Sequence, residues 1–201
     1  MIRRLLALLA LTLIAVPAAA QTPATPPTPP APVRVALETS AGRIVIEVDR
    51  AKAPVTAANF LRYVDQKRLD GTVFYRAVRV APHFGFVQFG VQNAAKRVLP
   101  PIRHEPTTQT GLKHLDGSIS IARTTPGTAR GDFTIMVGDQ PSFDADPTKP
   151  GDNLGYATFG RVVEGLDVVV KIQESPVAEG GHFKGEMLAP PVRIITARRV
   201  P

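Results

Sequence analysis

From Val33 onward the chain is cut into short runs rich in Val, Ile, Phe and Thr, separated by turn-forming loops, and only two segments carry helical spacing. That pattern confines the fold to an antiparallel barrel or sandwich, because many short strands leave pairing edges that closure or stacking must cover. Two runs of period two, Val33 to Glu38 and Arg43 to Val48, are joined by Thr39-Ser40-Ala41-Gly42, which predicts a β-hairpin. After Ala53-Pro54, residues Ala57, Phe60, Leu61 and Val64 fall at i, i+3, i+4 and i+7. With Pro54 suited to a first turn, this predicts an amphipathic helix ending near Lys67. Further strands are expected at Thr72 to Val78, Phe84 to Val91, Ser118 to Ala122, Phe133 to Val137, Ala157 to Val162 and Val192 to Arg199. A second helix is expected over Glu164 to Ile172, where Leu166, Val169 and Val170 share a face.

The first 32 residues cannot belong to this core. Arg3 and Arg4 precede a 12-residue apolar run, Leu5 to Val16, and Ala18-Ala19-Ala20 offers a small-residue cleavage site before Gln21. The run is short of the roughly 20 residues that span a bilayer, so residues 1–20 are expected to be an export signal and not an anchor. No Cys follows it, which argues against a lipoprotein. Residues 21–32 hold six prolines and no charge, a composition for an extended tether. Residues 33–201 are left as one domain, expected in the periplasm as a monomer free of the membrane once the signal is removed.

Composition removes several function classes. The chain has no cysteine, so a disulfide framework, a thiolate metal site and a cysteine nucleophile are all excluded. Net charge is +7, or +5 once Arg3 and Arg4 are set aside, and no run of five cations occurs, which argues against a nucleic-acid partner. P-loop, dinucleotide glycine, HExxH and GxSxG signatures do not occur. The histidines, His83, His104, His114 and His182, lack metal-ligand spacing, and Asp139, Asp144, Asp146 and Asp152 lack the glycine and glutamate of an EF-hand. They read as structural histidines and as turn formers.

One ordered set of segments remains. Pro54-Val55-Thr56-Ala57-Ala58-Asn59-Phe60, Phe74-Tyr75-Arg76 and Phe86-Val87-Gln88-Phe89-Gly90 resemble the cyclophilin pattern of a P-x-T-x-x-N-F helix, an F-H-R strand and a G-F-x-x-Q-G-G strand. Ser118 to Arg123 is similar to the family's strand ending in Met-Ala-Asn or Met-Ala-Arg, and Gly131-Asp132-Phe133-Thr134-Ile135 to its S-Q-F-F-I strand. Phe143-Asp144 resembles its Leu-Asp, and Tyr156 to Gly165 its V-F-G-K-V-x-x-G signature. The match runs from about Val33 to Arg199.

This resemblance implies a closed eight-stranded antiparallel β-barrel capped by two α-helices, with a groove on its outer face. It implies peptidyl-prolyl cis-trans isomerisation of proline-containing polypeptides, such as exported proteins that are still folding, without cofactor or metal. Arg76 would face the proline nitrogen, and Gln88 would hold the substrate carbonyl. Phe86, Val87, Ala122 and Phe143 would form the proline slot, with Arg123, Thr134 and Tyr156 beside it. Thr134 stands where the family places a phenylalanine, Asp132 replaces a glutamine, Tyr75 a histidine, Tyr156 a histidine and Phe89 a glycine. The Phe86 to Gln88 segment is one residue shorter than the common pattern, so Phe84 and Phe86 both remain candidates for the slot. The reduced apolar floor keeps a second reading open, a proline-peptide binding or chaperone module with little turnover. A third, an unrelated barrel with an interior ligand, is opposed by the Ile, Val and Phe that the strands would place inside.

Overall fold

The computed structural model describes residues 32–201; the expected export signal and all of the expected tether but Pro32 lie outside the described residues. The strands are β1 (Val33–Thr39), β2 (Gly42–Val48), β3 (Val73–Ala81), β4 (Phe84–Gly90), β5 (Ser118–Ile121), β6 (Asp132–Val137), β7 (Ala157–Glu164), β8 (Val177–Ala178) and β9 (Met187–Val200). The helices are α1 (Pro54–Asp65), the single turn α2 (Thr107–Thr110) and α3 (Leu166–Gln173), with a 3-10 turn at Pro141–Phe143.

All pairings are antiparallel, in the order β1-β2-β7-β5-β6-β4-β3-β9, and β9 pairs back onto β1. Eight strands therefore close into a barrel, and the two-residue β8 is an addition on the edge of β9. The β1–β2 turn is held by Thr39, whose hydroxyl accepts the N–H groups of Ala41 and Gly42 at 3.1 Å each. Gly42 there takes φ 140, open to glycine and strained for other residues.

Besides the short α2 and β8 and the extension of β3 to Ala81, two features escaped the sequence reading. β7 runs to Glu164, which pairs with Val45, and left-handed Gly165 (φ 82) then turns the chain into α3, two residues later than expected. The other is the entry of β9, where Leu188 to Pro191 bulge opposite Tyr75 alone, between the pairs Phe74–Val192 and Arg76–Met187. Prolines cannot donate to a ladder, so this stretch could not be read as a strand from its composition.

The barrel interior is filled. Phe74, Phe89, Phe133 and Phe159 are fully buried from four strands, among Val35, Leu37, Ile44, Ile46, Ile119, Ile135 and Ile194. Phe60 of α1 meets Phe133 edge-on at 5.0 Å between ring centroids and Phe159 at 5.3 Å. Each such side chain contributes about 1.5–3 kcal/mol on burial. The helices close opposite ends: at one, Asn59 of α1 donates to the Arg130 carbonyl at 2.7 Å, just before β6, while at the other Gln173 of α3 donates to the Val78 carbonyl at 3.0 Å, near the β3–β4 turn. The described strands thus fill the interior with side chains, and the large groove lies on the outer face.

Candidate active site

Strand alternation selects the outward side chains. On β4, Val87 and Phe89 point into the core, so Phe86 and Gln88 point out. On β6, Phe133 and Ile135 point in, and Asp132, Thr134 and Met136 line the outer groove. The pairs Arg76–Gln88, Gln88–Thr134 and Thr134–Ser120 lie in register. Since residues directly opposite share a face, these four side chains form one polar row across β3, β4, β6 and β5. The groove around the row is about 830 Å³, in the range of ordinary ligand sites.

The expectation for Val87 is corrected here. It is fully buried in the core and takes no part in the groove, because neighbouring residues on a strand face opposite sides and Phe86 occupies the groove side. Phe84 packs by Gly138 at the hairpin end, while Phe86 lines the groove. Arg76, Gln88, Ala122, Arg123, Thr134, Phe143 and Tyr156 all line it as well.

Arg76 is closely held. It donates from Nη1 to Gln88 Oε1 at 3.1 Å and from Nε to Glu186 Oε2 at 2.7 Å. Its guanidinium carbon lies 5.3 Å from the Phe86 ring centroid. Arginine has only donors, so the Gln88 atom facing it is the carbonyl oxygen, which leaves the Gln88 amide N–H groups for another acceptor. The Thr134 hydroxyl is in turn 2.7 Å from that of Ser120, a bond buried beneath the groove floor.

The apolar wall is a chain of rings: Phe86 meets Phe143 edge-on at 5.8 Å, and Phe143 meets Tyr156 at 5.4 Å. Phe143 sits in the 3-10 turn, which is fixed from behind by His114. That imidazole lies 2.8 Å from Asp144 Oδ1, and the same oxygen accepts the His114 backbone N–H at 3.1 Å. Burial pushes the His114 pKa down and Asp144 pulls it up, burial being the larger effect; since a carboxylate only accepts, the His114 Nδ1–H is the donor. Burial likewise lowers His104, which bonds the Leu154 carbonyl at 3.0 Å.

Arg123 supports the Tyr156 end of this wall. Both its terminal nitrogens bond the Asp152 carboxylate at 2.9 Å, and its Nε donates to the Gly155 carbonyl at 3.0 Å. This hydrogen bonding holds the Asp152 carboxyl down at about 2, and the guanidinium carbon lies 5.3 Å from the Tyr156 ring centroid. Arg123 is thus bound up in the loop that carries Tyr156. At the groove's end the Tyr75 hydroxyl donates to Asp132 at 3.2 Å, and burial raises the pKa of both groups. Among the described residues, no group of three or more His, Asp or Glu side chains is placed to hold a metal ion.

Ser120, Met136, Phe183, Glu186 and Met187 were not singled out from the sequence. Met136 follows from β6 alternation once the strand is fixed, but Phe183 and Glu186 reach Arg76 across about 110 positions and carry no local signal.

The geometry is that of a closed antiparallel barrel whose outer groove carries two fixed guanidinium groups, Arg76 and Arg123, and an aromatic wall. The sequence model described as cyclophilin type peptidyl-prolyl cis-trans isomerase/CLD matches residues 34–199, and the chain belongs to that family. Among curated relatives, a peptidyl-prolyl cis-trans isomerase of Acinetobacter baylyi is 34% identical over 82% of this chain and 84% of its own. One of Streptomyces antibioticus is 41% identical over 69% of this chain and 82% of its own. A solved cyclophilin-type isomerase of Cryptosporidium parvum, crystallised in the presence of the dipeptide Ala-Pro, superposes with a TM-score of 0.68 at 18% identity, covering 84% of this chain and 99% of its own.

Proposed function

We propose that the outer groove binds exposed X-Pro segments of exported polypeptides and catalyses rotation about the prolyl peptide bond, assisting their folding in the periplasm. The observation that carries this reading is the Arg76 guanidinium, fixed 3.1 Å from Gln88 Oε1 at the edge of an apolar slot. Rotation about the peptide bond meets a barrier of about 18–20 kcal/mol, and no covalent bond breaks. As the amide twists, the proline nitrogen regains its lone pair, and a fixed cationic donor facing it binds the twisted state better than the planar one. Arg76 is that donor. The free amide N–H groups of Gln88 hold the substrate carbonyl, and Phe86, Ala122, Met136 and Phe143 enclose the proline ring. Arg123 and Tyr156 shape the far end of the slot.

A second reading, peptide binding with little turnover, is favoured by Thr134, which replaces apolar floor with a hydroxyl bonded to Ser120. A protease-coupled isomerisation assay on Ala-Pro peptides separates the two. Catalysis above the uncatalysed rate, rising further in Thr134→Phe as the floor is filled, is the expected result. An uncatalysed rate in both proteins would leave only the binding reading.

The export part of the proposal rests on residues 1–20 and on bacterial relatives such as those above. Among the described residues no helix is long and apolar enough to cross a membrane. Protein recovered from a periplasmic extract should have an intact mass beginning at Gln21; a mass that retains Met1 to Ala20 would contradict cleavage.

A further inference from the structure

Arg76 is gripped by a segment that lies far from it in sequence. Between β8 and β9 the chain lays His182, Phe183 and Met187 along the groove, with Glu186 bonded to Arg76. Glu186 Oε2 accepts from Arg76 Nε at 2.7 Å and lies 2.6 Å from Nη2, while the Phe183 ring centroid is 3.8 Å from the guanidinium carbon. The guanidinium is thus held on one edge by a carboxylate, on one face by an aromatic ring and at Nη1 by Gln88. All three guanidinium nitrogens lie against an acceptor, Nε and Nη2 against Glu186 and Nη1 against Gln88. Glu186 is itself placed by the ladder, because its backbone carbonyl accepts the Ala77 N–H at 2.8 Å, one residue beyond Arg76.

We propose that Glu186, with Phe183 stacked on the guanidinium, is a positioning residue that fixes Arg76 in the orientation needed to face a twisted prolyl nitrogen. This rests on the catalytic role assigned to Arg76 above. A free arginine side chain samples many rotamers, and a donor that stabilises a transition state is effective only when its orientation is fixed beforehand. The opposing effect is electrostatic, since a carboxylate beside the guanidinium weakens its field at the substrate. Glu186 keeps 33% of its side chain exposed, so water screens that penalty, while the orientation survives screening because hydrogen bonds impose it. Gln88 is a neutral partner on another edge and cannot by itself stop the guanidinium from swinging about its Nη1 contact.

The test compares wild type, Glu186→Ala, Glu186→Gln and Arg76→Ala, each as the full chain, with kcat and KM for an Ala-Pro peptide separated by exchange NMR. Glu186→Ala should lower kcat about tenfold with KM changed less than twofold. Glu186→Gln, which keeps an acceptor for Nε, should restore most of the loss. In an Arg76→Ala background, Glu186→Ala should have no further effect. Thermal midpoints within a few degrees of wild type show that the fold is kept. Unchanged or raised kcat in Glu186→Ala, with wild-type activity still dependent on Arg76, would overturn the positioning role alone. A loss of activity in Glu186→Gln equal to that in Glu186→Ala would also overturn it, pointing to charge and not orientation. Absence of catalysis in wild type, or activity within twofold of wild type in Arg76→Ala, would overturn the underlying assignment as well.

Discussion

Arg76→Ala is expected to lower kcat/KM on Ala-Pro peptides by about one to two decades, the equivalent of a charge-assisted hydrogen bond of roughly 1.5–3 kcal/mol made mainly in the transition state. The fold should survive. Arg76 lies on the outer face with 20% of its side chain exposed, and its partners are groove residues, not the interior aromatic cluster. Its removal leaves the Glu186 carboxylate without its cation, but one-third exposed and able to hydrate. Arg76→Lys should fall between, because it keeps the charge and loses the planar fork that engages Glu186 and Gln88 on separate edges. The protease-coupled assay, with circular dichroism as the check on folding, measures this. Activity within twofold of wild type in a folded Arg76→Ala protein would remove this residue from the mechanism.

The second large effect concerns stability and arises at the start of α1. Helix α1 begins without a side-chain cap of its own, since Ala53 stands at the N-cap position. Glu105, fully buried and about 50 positions away, supplies one instead: its carboxyl accepts the Val55 N–H at 3.1 Å, the Thr56 N–H at 2.8 Å and the Thr56 hydroxyl at 2.7 Å. Glu105→Ala leaves the buried Thr56 donors and the part-buried Val55 N–H without their acceptor and removes the favourable interaction with the helix's positive end. The expected cost is about 3 kcal/mol, a lowering of Tm by roughly 6–12 °C for a domain of this size. Glu105→Gln keeps one strong acceptor and should lose about half as much. The folded fraction should retain its kcat/KM, since Glu105 does not line the groove. A Tm within 1 °C of wild type in Glu105→Ala would mean that water reaches these donors and that the cap is dispensable.

Glu105 also shows where reading by sequence ends. A lone glutamate between His104 and Pro106 has no local pattern that separates it from a surface acid. Its task is defined only when the loop carrying it reaches the start of α1. The same holds for Glu186 and Phe183, which would pass for loop residues in a glycine-rich stretch. Val87 gives the converse case: motif adjacency alone placed it in the slot beside Phe86, whereas strand period places it in the core. His114 was read as structural, and the structure gives that role content, since its bond to Asp144 steadies the turn bearing Phe143.

The sequence by itself determined the strand-rich architecture, the opening hairpin, the position of α1 and the order of the segments that place Arg76, Gln88 and Phe143. These depend on periodicity and turn chemistry, which act over a few residues and so leave a local trace. Only the tertiary structure decided which outward side chains share a row, that β9 starts early across a proline bulge, and that Glu186 and Phe183 close on Arg76. Those outcomes follow from strand register and barrel closure, in which one pairing constrains residues a hundred positions apart, and no short window of sequence records such a constraint.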